Sequence, residues 1–435
     1  MALGGGTFTA QNKVLPGTYI NFISTANASS ALSQRGICAV GLELDWGDDT
    51  GLIELTNEDF IKHSKEILGY DYDHASLIGL REIFRNSIKV YVYRLNGGGV
   101  KASNTYATAK YAGIRGNDLK IVIAVNADDN TMFDVTTLLG TVEVDRQTVA
   151  DATVLVDNDY VVFKKDATLE VTAGIALANG TNTTVTATQH QALLDKLESV
   201  SFNVLGCISE TDTIKTLYIN YCKRLRDEIG KKIQVVVYNK AADYEGVVNV
   251  KNTVTDTTAN AASLVYYVTG LVAGIEVNKS ASNKVYDGEF SINTNYTQSQ
   301  LETAINSGEF TFHNVGTETR VLLDINSLTT TTETKSDAFK QNQTIRVIDQ
   351  IANDIAVIFN DKYLGKVPND QSGRISLWSD IVKHHEELQT IRAIENFIDD
   401  DVKVEQGNTK TSVVVNDAIT TVYAMEKLYM TVTVN

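Results

Sequence analysis

His384, His385, Glu386 and Glu387 form the densest run of metal-ligand side chains in the sequence. A zinc site on one helix needs its histidines at i and i+4, whereas neighbours at i and i+1 point about 100° apart. The run is therefore expected to be a helix face turned to water or to a neighbouring element. The acidic runs Asp48-Asp49, Asp128-Asp129 and Asp399 to Asp401 lack calcium-loop spacing and read as solvated charges or helix-end groups. A phosphate loop requires an earlier glycine and a Ser or Thr after its lysine. Gly365-Lys366-Val367 and Gly230-Lys231-Lys232 supply neither. No dinucleotide fingerprint and no G-x-S-x-G elbow occur, and Ser, His and Asp are scattered. An enzyme would need a triad assembled from distant residues. The expectation is no catalytic residue, no cofactor and no metal.

The chemistry that remains is main-chain hydrogen bonding at the two ends. In AMEKLYMTVTVN, residues 424–435, Leu428, Met430, Val432 and Val434 share one face and Tyr429, Thr431 and Thr433 the other. That period of two marks a half-buried strand. Near the other end Thr18, Tyr19, Ile20, Asn21, Phe22 and Ile23 alternate in the same way, behind a Gly-rich leader. Two pairings stand open. The terminal strands close one sheet within their own chain, or each adds to a sheet of a neighbouring subunit.

The elements that must carry these ends belong to an ordinary globular chain. The 435 residues suggest about three domains. Apolar content is 43%, charged content 21% and net charge −16, which disfavours a nucleic-acid surface. The three cysteines, Cys38, Cys207 and Cys222, form no C-x-x-C pair and read as buried thiols in a reducing compartment. MALGGGTFTAQNK has no basic and apolar leader, and no apolar run reaches membrane-spanning length. The expectation is a chain made and kept in a cytoplasm, without membrane insertion. A stand-alone surface module would need export.

Along the chain, residues 1–24 read as an arm. Residues 25–96 alternate strand and helix patterns, opening an α/β layer. Residues 97–185 become Thr-, Val- and Asp-rich with short alternating runs, the pattern of an inserted antiparallel β-domain. The α/β pattern resumes over 186–337. Residues 338–423 form an α+β C-terminal part with a striped helix over 344–359, a second helix over 375–397 and a strand pair. Pro368 separates the two helices. Residues 424–435 are the second arm.

These segments carry a resemblance. TIRVIDQIANDIAVIFNDKYLGKVPNDQSGR (344–374) and the terminal AMEKLYMTVTV resemble the tail sheath protein of contractile phage tails and of headless bacteriocins (tailocins), in its Gram-positive form. LPGTYINF (15–22), RGICAVG (35–41), VYRLNGG (92–98), AKYAGIRGNDLKIVI (109–123) and NKVYDG (283–288) extend it over nearly the whole chain. The resemblance implies a subtilisin-like α/β core without an evident triad, an inserted β-sandwich facing outward, and a C-terminal domain near a tail tube. It implies that residues 18–23 and 428–434 exchange between subunits. It implies a homopolymer assembled in the bacterial cytoplasm around a tail tube protein, with baseplate and tail terminator proteins, which contracts without nucleotide to drive the tube through an envelope. Arg374 and Lys383 are the candidates for tube contact, against a plain solvated helix face. A hydrolase on the α/β core is the alternative.

Overall fold

The computed structural model describes residues 32–257 and 259–434. The strand expected at residues 18–23 lies outside them. The chain divides into two units. Among the described residues, one holds 34–353, 392–395 and 421–434, and the other holds 32–33, 354–391 and 396–420.

In the first unit β1 (Ile37–Leu42), β2 (Leu52–Thr56) and β3 (Lys89–Arg94) open a sheet, with α1 (Asn57–Leu68) and α2 (Ile78–Phe84) between β2 and β3. Sequence sets the ends of α1. Thr56 and Asp59 make a capping box at its start, and Gly69 takes the left-handed conformation at its end, with φ 82°. β1 and β3 are parallel from Ile37↔Lys89 to Leu42↔Arg94, and β2 runs antiparallel to β3.

The chain then leaves the sheet to build β4 (Ala107–Ala109), β5 (Leu119–Val125), β6 (Phe133–Leu139), β7 (Val142–Val149), β8 (Val161–Phe163) and β9 (Thr172–Ala176). These form an antiparallel sheet in the order β7-β6-β5-β9 and a separate β4-β8 ladder. Leu119, Ile121 and Ile123 alternate inward and share a core with Val135, Leu139, Val161 and Phe163. Trp46 reaches into the same core and stacks on Tyr160.

Arg94 pins the insertion to the sheet. Its buried guanidinium donates to the carbonyls of Leu44 (2.8 Å), Gly47 (3.1 Å) and Ala112 (2.6 Å) and to Asn182 Oδ1 (3.0 Å). Gly113 is obligatory at this joint. Its φ is 133°, and a Cβ there would lie 2.1 Å from the Asp45 carbonyl oxygen. The VYRLNGG and AKYAGIRGN stretches meet here.

The sheet resumes with α3 (Ala187–Leu197), β10 (Val204–Cys207), α4 (Asp212–Lys223), β11 (Gln234–Tyr238), β12 (Val247–Val250), α5 (Leu264–Gly274), α6 (Gln298–Asn306) and β13 (Glu309–Phe310). Seven strands lie in the order β13-β12-β11-β10-β1-β3-β2, parallel except β2. Helices cover both faces, as such a sheet requires. Leu80, Ile83, Leu264, Val268 and Leu271 pack on one side, and Leu193, Leu197, Tyr218 and Cys222 on the other. The run 309–313 reads as one strand in sequence but splits. Glu309–Phe310 closes the large sheet, and β14 (Phe312–Val315) pairs with β15 (Glu318–Val321) as a hairpin.

α7 (Asn342–Ile358) begins in this unit. Its apolar stripe is joined by buried ion pairs. Arg346 donates to Asp324 at 2.5 Å with both side chains fully buried, and Asp349 accepts two bonds from Arg226 at 2.6 and 2.8 Å. Burial lowers the Arg226 pKa, and Asp349 more than offsets that, holding it above its ordinary value.

The second unit contains α8 (Gln371–Thr390). After β16 (Ile394–Glu395), a part of the first unit, it continues with β17 (Val402–Gln406) and β18 (Val413–Asp417). The helix expected at 375–397 is displaced. It starts at 371 because Asp370 caps the Gly373 amide at 2.8 Å. It stops at 390 because Arg392 and Asn396 adopt positive φ of 60° and 57°. Trp378 Nε1 donates to the Val402 carbonyl at 3.0 Å and ties α8 to β17.

Candidate functional site

The C-terminal segment leaves the first unit along a short chain of contacts. The Val422 amide donates to the Ala393 carbonyl (3.1 Å), the Ala424 amide to Gln343 Oε1 (3.2 Å), and Ser282 Oγ to Glu426 Oε1 (3.0 Å). Beyond Glu426 the segment makes no hydrogen bond with a described residue. Leu428 is 85% exposed, Met430 74%, Val432 70% and Val434 90%, and Tyr429 on the opposite face is 89% exposed. Thr431 and Thr433 are exposed too. Both faces of the expected strand are bare, and no ladder forms within the described chain.

The second unit presents an incomplete sheet. β17 and β18 pair antiparallel from Val402↔Asp417 to Gln406↔Val413 and have no further strand neighbour among the described residues. Val414 and Val415 are 46% and 38% exposed. A two-stranded ribbon is marginal alone, and an open edge displays unpaired amides and carbonyls.

Of the two basic candidates on α8, Lys383 is exposed and Arg374 half-buried, where it donates to the carbonyl and side-chain oxygen of Asn369 at 3.1 Å. About two and a half helical turns separate them, so they stand on opposite sides of α8 and share no face. The histidine run turns inward. His384 and His385 are fully buried, bound to Asp354 (3.0 Å) and Asp417 (2.9 Å), while Glu386 stays exposed. Sequence reasoning missed these carboxylate partners because they are distant in the chain. It also missed Arg346, Asp349 and Asn353, although their spacing of three and four along α7 marks a polar strip beside the apolar stripe.

The hydrolase alternative would use the crevice at the carboxyl ends of the parallel strands, where the strand order switches direction between the neighbours β1 and β10. That crevice, about 1000 Å³, is lined by Ser209, His190, Tyr218, Glu210 and Asp256. The His190 Nδ1 atom meets the Tyr218 hydroxyl at 2.8 Å, not a serine, and burial lowers the His190 pKa. Ser209 Oγ accepts from the Thr211 amide. No hydroxyl–imidazole–carboxylate chain forms there among the described residues. Nor is a group of metal-ligating side chains found among them, and no described helix is long and apolar enough to cross a membrane.

Comparison with known proteins places this architecture. Residues 97–184, 183–327 and 334–435 match the phage tail sheath protein β-sandwich, central and C-terminal domains. The phage-like element PBSX protein XkdK of Bacillus subtilis is 33% identical over the full length of both chains. The chain belongs to the phage tail sheath family. The crystal structure of a sheath tail protein from Desulfitobacterium hafniense is 37% identical, covers 95% of this chain and 99% of its own, and superposes with a TM-score of 0.82. The anti-feeding prophage helical sheath in its contracted state shares the fold at 14% identity, with a TM-score of 0.57 over 97% of this chain and 99% of its own. This sheath subunit is a structural protein, and the comparisons give the hydrolase alternative no support.

Proposed function

We propose that the subunit polymerises around a tail tube protein as a helical sheath in a metastable extended state. Its contraction then drives the tube through a target envelope. In this reading a baseplate protein starts the contraction, a terminator protein closes the far end, and assembly takes place in the bacterial cytoplasm for a virion tail or tailocin particle. The driving energy is the difference between two packings of the same subunits, so no nucleotide enters. The seven-stranded layer serves as the subtilisin-like core over 25–96 and 186–337, the insertion 97–185 faces outward, and 338–423 lies toward the tube. Lys383 and Arg374, being on opposite sides of α8, would contact the tube at separate places if both do.

One observation carries the reading: the apolar face of Leu428, Met430, Val432 and Val434 is bare in the subunit. Residues 428–434 leave their own chain and add to the β17–β18 hairpin of a neighbour. Residues 18–23 act as the second exchanging arm. At roughly 1 kcal/mol net per main-chain bond, each added strand gives several kcal/mol per link. Such a link holds subunits together while their other contacts change. The test is deletion of residues 428–435. The truncated subunit keeps its melting temperature and forms no tubes by negative-stain microscopy. Normal tubes from the truncated chain overturn the exchange.

A further inference from the structure

The crevice at the carboxyl ends of the parallel strands holds charge and hydrogen-bonding capacity that the subunit itself does not use. Glu43, Glu210, Asp256 and Glu289 line it, and no lysine or arginine does. Glu289 is held by Arg81 at 2.8 Å and faces Arg85 at 3.5 Å. The other three carboxylates have no cationic partner among the described residues. Glu210 accepts from the Ala261 amide (3.1 Å) and Asp256 from the Ser291 amide (2.7 Å). Glu43 is exposed and bonds to no described residue.

Ser263 is an independent sign of a missing donor. It is 4% exposed, lines the crevice at the start of α5, and its hydroxyl does not cap that helix. Nor does that hydroxyl bond to any other described residue. A buried hydroxyl left unpaired costs free energy that a donor arriving from outside recovers. The Tyr266 ring reaches the same lining because Gly79 makes room for it; a Cβ at Gly79 would lie 2.7 Å from that ring. Burial, and after it the Glu43 charge, raise the Tyr266 pKa, so the phenol stays neutral. Burial lowers the His190 pKa, so this imidazole adds no positive charge at neutral pH. The chemistry that fits is an alkylammonium group, with its head on the carboxylates and the hydroxyl and its stem along Ile78, Ile208 and Phe290.

The second unit of the chain offers that chemistry. Lys366 and Lys410 are exposed in turns, one after α7 and one between β17 and β18, and neither makes an ion pair with a described residue. Lys366 donates to the Asp361 carbonyl. Asn369 ties the two turns together, donating through Nδ2 to the carbonyls of Lys410 (3.0 Å) and Ser412 (2.8 Å). Two lysines therefore stand on adjoining turns at one end of the unit.

We propose that the crevice of one sheath subunit takes up the Lys366 and Lys410 turns of a neighbouring copy. The contact joins two different surfaces of the chain, so it repeats head to tail and propagates as an open helix. It rests on the polymer of the proposed function for its neighbour, and not on the exchange of arms.

Zero-length carbodiimide coupling tests it, on tubes assembled from a mixture of heavy-isotope-labelled and unlabelled full-length subunits. Mass spectrometry of the digest is expected to show mixed-label links from Glu43, Glu210 or Asp256 to Lys366 or Lys410. Charge reversal reads the same contact. Glu43→Lys keeps the melting temperature and raises the subunit concentration needed for tubes roughly tenfold, the factor one charge-assisted hydrogen bond supplies. Adding Lys366→Glu and Lys410→Glu to that chain recovers part of the loss. Tubes in which the three carboxylates form no mixed-label link, or link to other lysines, overturn the docking and leave the polymer standing. A Glu43→Lys chain that assembles like wild type does the same. A wild-type chain that forms no tubes removes the polymer and the docking together.

Discussion

At the residue scale, the buried polar groups decide more than their number suggests. Removing one partner of a buried pair strands a charge, which costs on the order of 3 kcal/mol. Asp349→Ala leaves the Arg226 guanidinium with only the Ile233 carbonyl and is expected to lower unfolding stability by about that amount. The denaturant midpoint measures it, and a shift near zero would mean water replaces Asp349 at once. The thiols make a second prediction. Burial pushes Cys38, Cys207 and Cys222 from the ordinary value of 9.0 up to about 12. A thiol raised by folding favours the native state below its ordinary value, and this contribution fades as pH climbs from 9.0 toward 12. In neutral buffer the native chain therefore resists a thiolate alkylating reagent, and unfolding makes all three cysteines reactive. Mass spectrometry counts the adducts; rapid labelling of the native protein would contradict the burial.

At the element scale, the C-terminal segment gives a contrast that a general destabilisation cannot mimic. Val432 is 70% exposed and Thr433 is exposed on the opposite face. Val432→Asp leaves the melting temperature of the subunit unchanged, since it disturbs nothing packed. It prevents polymerisation, because a charge then enters the buried face of the added strand. Thr433→Asp, one residue on, is tolerated better if that face stays toward water. Equal assembly of the two variants, read by sedimentation, would rule out a half-buried exchanged strand. α8 shows the limit of element prediction. Apolar spacing placed the helix and most of its buried face, including Leu377, Ile381 and Leu388. Its ends were missed because they depend on the Asp370 cap and on two residues held at positive φ.

At the scale of the whole molecule, the division of labour follows from where covalent continuity is broken and restored. The seven-stranded sheet is interrupted after β3 and resumes at β10, with the insertion held at its base by Arg94, Asp45 and Asn182. A joint of buried hydrogen bonds keeps the insertion from swinging freely about its glycine-rich exit. Among the described residues the C-terminal segment has no such fastening past Glu426. In the proposed function, an exposed apolar arm suits a polymer whose interfaces change while its links persist.

The sequence by itself determined most strands and helices of the described chain, because side-chain period is local. It also excluded a phosphate loop and placed the β insertion. Whether the terminal strand closes on its own chain stayed open there, since a period of two reports a face and not a partner. Only the tertiary structure decided that the described chain offers it none, and that Asp417, thirty-two positions from His385, lies within 2.9 Å of that ring. Those pairings depend on which distant atoms folding brings within about 3 Å, and no local pattern encodes that distance.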